Sequence, residues 1–74
     1  MLFGTRLRAE RKKRSMTTQV FADLCGVSRS YITLIENGRR LPGKKVIPNI
    51  AKTLKVKKTI VINWYLEDIR EKLQ

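Results

Sequence analysis

From Thr17 to Pro42 the chain reads TTQVFADLCGVSRSYITLIENGRRLP, and this stretch decides the fold. Thr17 is a good helix N-cap, because its side-chain oxygen can accept from the first free backbone N–H groups. The helix it opens carries Val20, Phe21 and Leu24 inward or nearly so. The small Ala22 on it lets another helix cross closely. Gly26 stands where a left-handed residue is wanted to close the helix. Ser28 then caps a third helix running to about Asn37, with Ile32 and Ile35 as its buried edge and Gly38 at its end. Two helices joined by a tight, glycine-containing turn are expected.

Working outward, Phe3 and Leu7 lie four apart on one face of a first helix, about Phe3 to Arg14. Downstream, Leu41-Pro42-Gly43 signals a turn. Ile47, Ile50, Ala51 and Leu54 share one face of a fourth helix. Pro48 fits only a first turn, so that helix is expected to start late, near Lys45. The β-branched run Thr59-Ile60-Val61-Ile62 suits an edge strand, yet Ile62, Leu66, Ile69 and Leu73 follow at helical a/d spacing. A fifth helix is the better reading, with Trp64 and Tyr65 off that seam. The expected class is therefore all-α with five helices.

The chain has 74 residues, enough for one domain whose core alone supplies little stability. Its single cysteine, Cys25, excludes an internal disulfide, and with no histidine it leaves no usual zinc ligand set. Buried packing is the expected role of Cys25. The absence of histidine also removes the commonest acid–base catalyst near neutral pH. Glu67, Asp68 and Glu71 read as a solvated helix face, and the four scattered glycines form no phosphate loop. Neither a signal-peptide core nor an apolar run of about 20 residues is present. These features point away from an enzyme, a cofactor, a metal site, a small-molecule substrate and a membrane, and toward a cytoplasmic, reduced protein.

The net charge of +11 calls for a polyanionic partner. It is unevenly placed. Residues 1–60 carry 15 basic and 3 acidic side chains, net +12, whereas residues 61–74 carry 2 basic and 3 acidic ones. The body is expected to meet the polyanion and the tail is not. Hence the chain divides into a binding domain, residues 1–58, and a C-terminal helix, residues 59–74.

The spacing of Ala22, Gly26-Val27-Ser28, Tyr31-Ile32, Ile35-Glu36, Gly38, Arg39-Arg40 and Pro42 resembles the helix-turn-helix of the phage repressor/Cro family, also called the xenobiotic-response-element type. The resemblance extends from Phe3 through Val56. It implies a repressor-like fold and a double-stranded DNA partner, with the third helix in the major groove. Burying Ile32 and Ile35 leaves Arg29, Ser30, Thr33 and Leu34 on the outer face and N-terminal end of that helix. In the family the matching positions read bases. Arg29 suits guanine, or else a phosphate; the Thr33 methyl or Leu34 suits a thymine methyl, and the other reading of Leu34 is partial burial against a neighbouring helix. The resemblance also implies phosphate contacts from Thr17, Thr18, Asn37, Arg39 and Arg40. The family's usual Gln at the first position of the second helix is Thr18 here. Gln appears one residue later, as Gln19, and the family role is not carried onto it. Glu36 has two readings, cytosine readout or a structural ion pair. The resemblance favours the pair, with Arg11.

The last helix, apolar on more than one side, has more surface than a small core can use. Ile62, Trp64, Leu66, Ile69 and Leu73 are expected to form a homodimer interface; in the bland reading Trp64 or Tyr65 caps the core. A dimer would set two recognition helices about 34 Å apart on a pseudo-palindromic operator. The expected function is a sequence-specific transcriptional regulator, most simply a repressor. The alternatives are an antitoxin or restriction–modification controller whose last helix also binds a partner protein, and a non-specific coating protein that uses charge alone.

Overall fold

Five helices make up residues 2–73, the part of the chain described by the computed structural model: α1 (Leu2–Lys13), α2 (Thr18–Cys25), α3 (Arg29–Glu36), α4 (Val46–Leu54) and α5 (Lys58–Lys72). The outer limits of the two expected segments, Met1 and Gln74, lie outside the described residues. The run Thr59–Ile62 is helical, and Pro48 is the third residue of α4, inside its first turn. There its missing N–H costs nothing.

Local chemistry sets the helix limits. Thr17 Oγ1 accepts from Val20 N–H, and Ser28 Oγ accepts from Tyr31 N–H, both at 3.1 Å. Gly26 closes α2 at φ 76°. Its N–H donates to Asp23 C=O at 3.2 Å, while Val27 N–H donates to Ala22 C=O at 3.0 Å. This crossed pair satisfies carbonyls that a helix end otherwise orphans. Gly38 closes α3 in the same way, through Gly38 N–H to Ile35 C=O and Arg39 N–H to Leu34 C=O, both 3.0 Å. The ends of α1 and α4 use the same device with non-glycine residues, Ser15 at φ 57° and Lys55 at φ 58°.

One core joins all five helices: Phe3 and Leu7 from α1, Phe21, Ala22 and Cys25 from α2, Ile32 and Ile35 from α3, Ile47, Ile50, Ala51 and Leu54 from α4, Val61 and Trp64 from α5. Cys25 is sealed in it. Its Sγ faces Thr53 Oγ1 at 3.5 Å, Asn49 Nδ2 donates to its carbonyl at 3.2 Å, and burial pushes its thiol pKa up. A raised pKa means little thiolate and low reactivity.

Three expectations are corrected. On α2 only Phe21 of the three apolar candidates is buried; Val20 is exposed and Leu24 is 63% exposed. An eight-residue helix clamped between α3 and α4 buries one narrow stripe, and Phe21, Ala22 and Cys25 fill it. On α5 the face turned inward is Val61, Trp64 and Asp68, which leaves the Ile62–Leu73 seam outside the core. Trp64 is 7% exposed, with its ring edge-to-face on Phe3 at a centroid distance of 6.1 Å. It therefore belongs to the core and is withdrawn from the expected dimer surface. Burying a tryptophan outweighs burying one more aliphatic residue, and that decides the rotation of α5. Asp68, expected on a solvated face, is buried and accepts from Phe3 N–H at 3.2 Å near the start of α1. Burial pushes its carboxyl pKa up, but hydrogen bonding and the Lys72 charge outweigh this and hold it low.

At Gly4 two helices meet backbone to backbone. A Cβ there would lie 2.2 Å from the carbonyl oxygen of Ile35, so α1 crosses α3 in direct backbone contact. Gly4→Ala is expected to force the two helices apart and to cost about 1–3 kcal/mol, the range for overpacking a tight interior. A thermal melt would then show a midpoint lower by at least about 4 °C. An unchanged midpoint would contradict this packing.

Candidate nucleic-acid interface

The same caps that end α2 and begin α3 aim their outer residues together. With Ile32 and Ile35 held in the core, the opposite side of α3 is solvated. Thr18, Arg29, Ser30, Thr33 and Leu34 line one open concavity of about 450 Å³. All but Thr18 are exposed, and Thr18 is half-buried at the first turn of α2. The structure thus brings the four base-reading candidates and one phosphate candidate to one place. Arg29 is their only charge. The remaining surface offers hydroxyls and methyls, which suit hydrogen bonding and apolar contact at base edges. Gln19 turns elsewhere, with its Nε2 donating to Asp23 Oδ1 at 2.9 Å along α2. Thr17 Oγ1 is engaged as the cap, and its hydroxyl proton remains a potential donor.

Behind this surface, Arg11 and Glu36 are 8% exposed each and form the expected pair. Arg11 Nε donates to Glu36 Oε2 at 2.7 Å and Nη2 donates to Oε1 at 2.9 Å, while Nη1 donates to Met16 C=O at 2.8 Å. The bonds to Glu36 raise the guanidinium pKa against the opposing effect of burial. A carboxylate committed this way, inside rather than on the outer face, does not read cytosine. Arg8 is an addition that sequence reasoning missed. It reaches Glu36 Oε1 at 3.4 Å and donates to Asn37 Oδ1 at 3.0 Å. Its place one turn before Arg11 on α1 was the available signal.

The segment after α3 carries the other phosphate candidates. Asn37 is the α3 C-cap and is held on its oxygen by Arg8. Arg39 and Arg40 are both exposed. Arg40 lies over the Tyr31 ring at 4.6 Å from its centroid, and Gly43 N–H donates to Tyr31 Oη at 2.9 Å. In the sequence Tyr31 is only an element of the spacing. Its grip on this loop is a through-space contact invisible in the chain.

Among the described residues no group of Cys, Asp and Glu gathers to hold a metal ion, and no helix is long and apolar enough to cross a membrane. Residues 2–59 match the sequence profile of the family described as a helix-turn-helix domain. The chain belongs to the repressor-like helix-turn-helix family.

Members of this helix-turn-helix family are similar to it over most of its length. The HTH-type transcriptional repressor RghR of Bacillus subtilis is 36% identical over 72 residues, which is 93% of this chain and 53% of RghR. The chain therefore spans about half the length of that relative. The uncharacterized HTH-type transcriptional regulator YazB of the same organism is 38% identical, over 74% of this chain and 80% of YazB. Among solved structures, the restriction-modification controller protein C.AhdI from Aeromonas hydrophila superposes with a TM-score of 0.75 at 30% identity, covering 80% of this chain and 89% of its own. The P22 c2 repressor in complex with a synthetic operator superposes with a TM-score of 0.77 at 26% identity, covering 82% and 92%.

The pair behind the site sets the first test of the helix-turn-helix geometry. Arg11→Ala leaves the Glu36 carboxylate buried without its main partner, and is expected to cost about 3–5 kcal/mol. Arg8, whose side chain is 44% exposed, is expected to cost about 0–1 kcal/mol when replaced by alanine. Urea denaturation of the two variants measures both, and comparable losses would contradict this ranking.

Proposed function

We propose that this chain is a sequence-specific double-stranded DNA-binding regulator of transcription, acting as a repressor by occupying its operator. The observation that carries the reading is the concavity of Thr18, Arg29, Ser30, Thr33 and Leu34, set on a body of net charge +12 and rigidly backed by the core. The α3 N-terminal end enters the major groove, where Arg29 pairs bidentately with guanine O6/N7. Ser30 and Thr33 hydrogen-bond base edges, and Leu34 meets a thymine methyl. Thr17 and Thr18 at the α2 N-terminus hold one phosphate, using free N–H groups and the positive end of the helix dipole. Asn37, Arg39 and Arg40 hold phosphates beyond α3. The fold's likeness to the P22 c2 repressor on its operator supports this docking.

A homodimer through α5 is part of the proposal. Leu66 and Leu73 remain 48% and 82% exposed on a segment that is nearly neutral and so not self-repelling. With half-buried Ile62 and Ile69 they form the surviving apolar face. Joined there, two copies present two α3 helices to a pseudo-palindrome. A second reading, a restriction–modification controller, is favoured by the likeness to C.AhdI over 89% of that protein's chain. Both readings share the DNA interface.

Selection of bound duplexes from random DNA tests the main reading, with a two-fold symmetric consensus expected. Against that consensus, Arg29→Ala should cost about 1–3 kcal/mol and relax preference at one position per half-site, leaving the salt slope nearly unchanged. A uniform loss with no change in preference would instead support charge-only coating. Separately, Leu66→Glu is expected to convert a dimer to a monomer in sedimentation analysis. A wild-type monomer that selects a non-palindromic site overturns the dimer.

A further inference from the structure

We infer that Tyr31 is a positioning residue for the phosphodiester backbone: it orders Arg40 and the loop after α3 before any DNA arrives. This rests on the DNA reading above and adds a residue that touches neither base nor phosphate. Tyr31 lies on α3 itself, half-buried and packed against the core, so its ring is fixed by the same helix that carries Arg29 and Thr33. Two contacts leave it in different directions. The ring face holds the Arg40 guanidinium at 4.6 Å, and the hydroxyl oxygen accepts from Gly43 N–H at 2.9 Å. A Cβ at Gly43 would stand 3.8 Å from the Tyr31 hydroxyl, an ordinary contact, so the bond is made by the backbone N–H and does not depend on glycine.

The chemistry assigns the role. A guanidinium lying over an aromatic face is held by the ring's negative quadrupole while its in-plane N–H groups stay available. Those N–H groups are the ones that grip a phosphate bidentately. An arginine on an unrestrained loop loses much rotamer freedom when it closes on an anion. Here part of that loss is incurred on folding, so binding costs less. The Gly43 bond supplies the second half of the clamp by tying the far side of the loop to α3. The phosphate contact made by Arg40 is thereby set at a fixed offset from the base-reading residues.

The test uses the intact chain and its selected duplex, with affinity measured between 50 and 200 mM salt. Arg40→Gln is expected to lower the salt slope by about 0.9, an affinity change of about 3.5-fold across that range. Tyr31→Leu removes no charge, so it is expected to lower affinity about 2- to 10-fold at every salt with the slope near wild type, and Arg40→Gln should cost less on that background than in the wild type. Tyr31→Phe keeps the ring and should keep most of the affinity. Base preference should be unchanged throughout. Tyr31→Leu with wild-type affinity, or full additivity of the two losses, would overturn the proposal. NMR of the free wild-type chain gives a readout independent of variant folding: Arg40 side-chain protons should be shifted upfield by the Tyr31 ring. Unshifted Arg40 protons would overturn the proposal whatever the variants do. A wild-type chain that binds no duplex with preference refutes the DNA reading instead, and takes the phosphate role with it even where the ring shift is seen.

Discussion

The Arg11–Glu36 pair is the constraint on which the arrangement rests. A single guanidinium reaches the α3 carboxylate through two donors and the Met16 carbonyl through a third. It thereby fixes α1, the turn leading into α2 and the C-terminal end of α3 relative to one another. Removing two charges from water is expensive, and only good geometry with further hydrogen bonds offsets it. That geometry exists here because Gly4 brings the α1 and α3 backbones into contact. With a side chain at that position, the arginine and the carboxylate would face each other across a wider gap. Small size raises the stakes. A 74-residue chain has few other interactions to hold its reading helix in register with its body.

Much of this was legible in the chain where chemistry is local. Thr17 and Ser28 announce helix starts because a hydroxyl beside free N–H groups satisfies them. Gly26 and Gly38 announce stops because φ near 76° suits glycine, and Pro48 dates the start of α4 by what proline cannot do. Arg29, Ser30, Thr33 and Leu34 were legible as a surface group once Ile32 and Ile35 were taken as core. The misses need a neighbour the sequence does not name. Val20 and Leu24 match an apolar period, but an apolar period fits more than one rotation of a helix. Phe21 decides it on α2, as Trp64 does on α5. Gly4 reads as an ordinary, slightly unfavourable helix residue until Ile35 stands against it. Asp68 looks like surface until the start of α1 is placed beside it. Arg8 and Tyr31 make contacts to Asn37 and Gly43 that depend on how the loop after α3 turns.

The charge of the chain is thereby sorted into kinds. Arg11 is spent internally and contributes little to any partner. Arg8 is shared between Glu36 and Asn37, half structural and half surface. Arg39 and Arg40 face solvent on a loop anchored at both ends, at Asn37 by Arg8 and at Gly43 by Tyr31. Arg29 stands alone among uncharged neighbours. On the proposed reading, affinity and sequence choice are carried by different side chains. That separation lets the base-facing positions change without disturbing the contacts that set register.

The stop at Gly38 has a consequence for how much information one copy can carry. It confines α3 to eight residues, a rod about 12 Å long. Laid in a major groove whose base pairs repeat every ~3.4 Å, such a rod meets about four of them. A word of about four letters recurs by chance every few hundred base pairs, far too often among the ~10⁶ or more competing sites of a genome. Doubling the word squares its rarity. On the proposed reading, the short helix, rather than the small core alone, is then the stronger physical reason for two copies to act together.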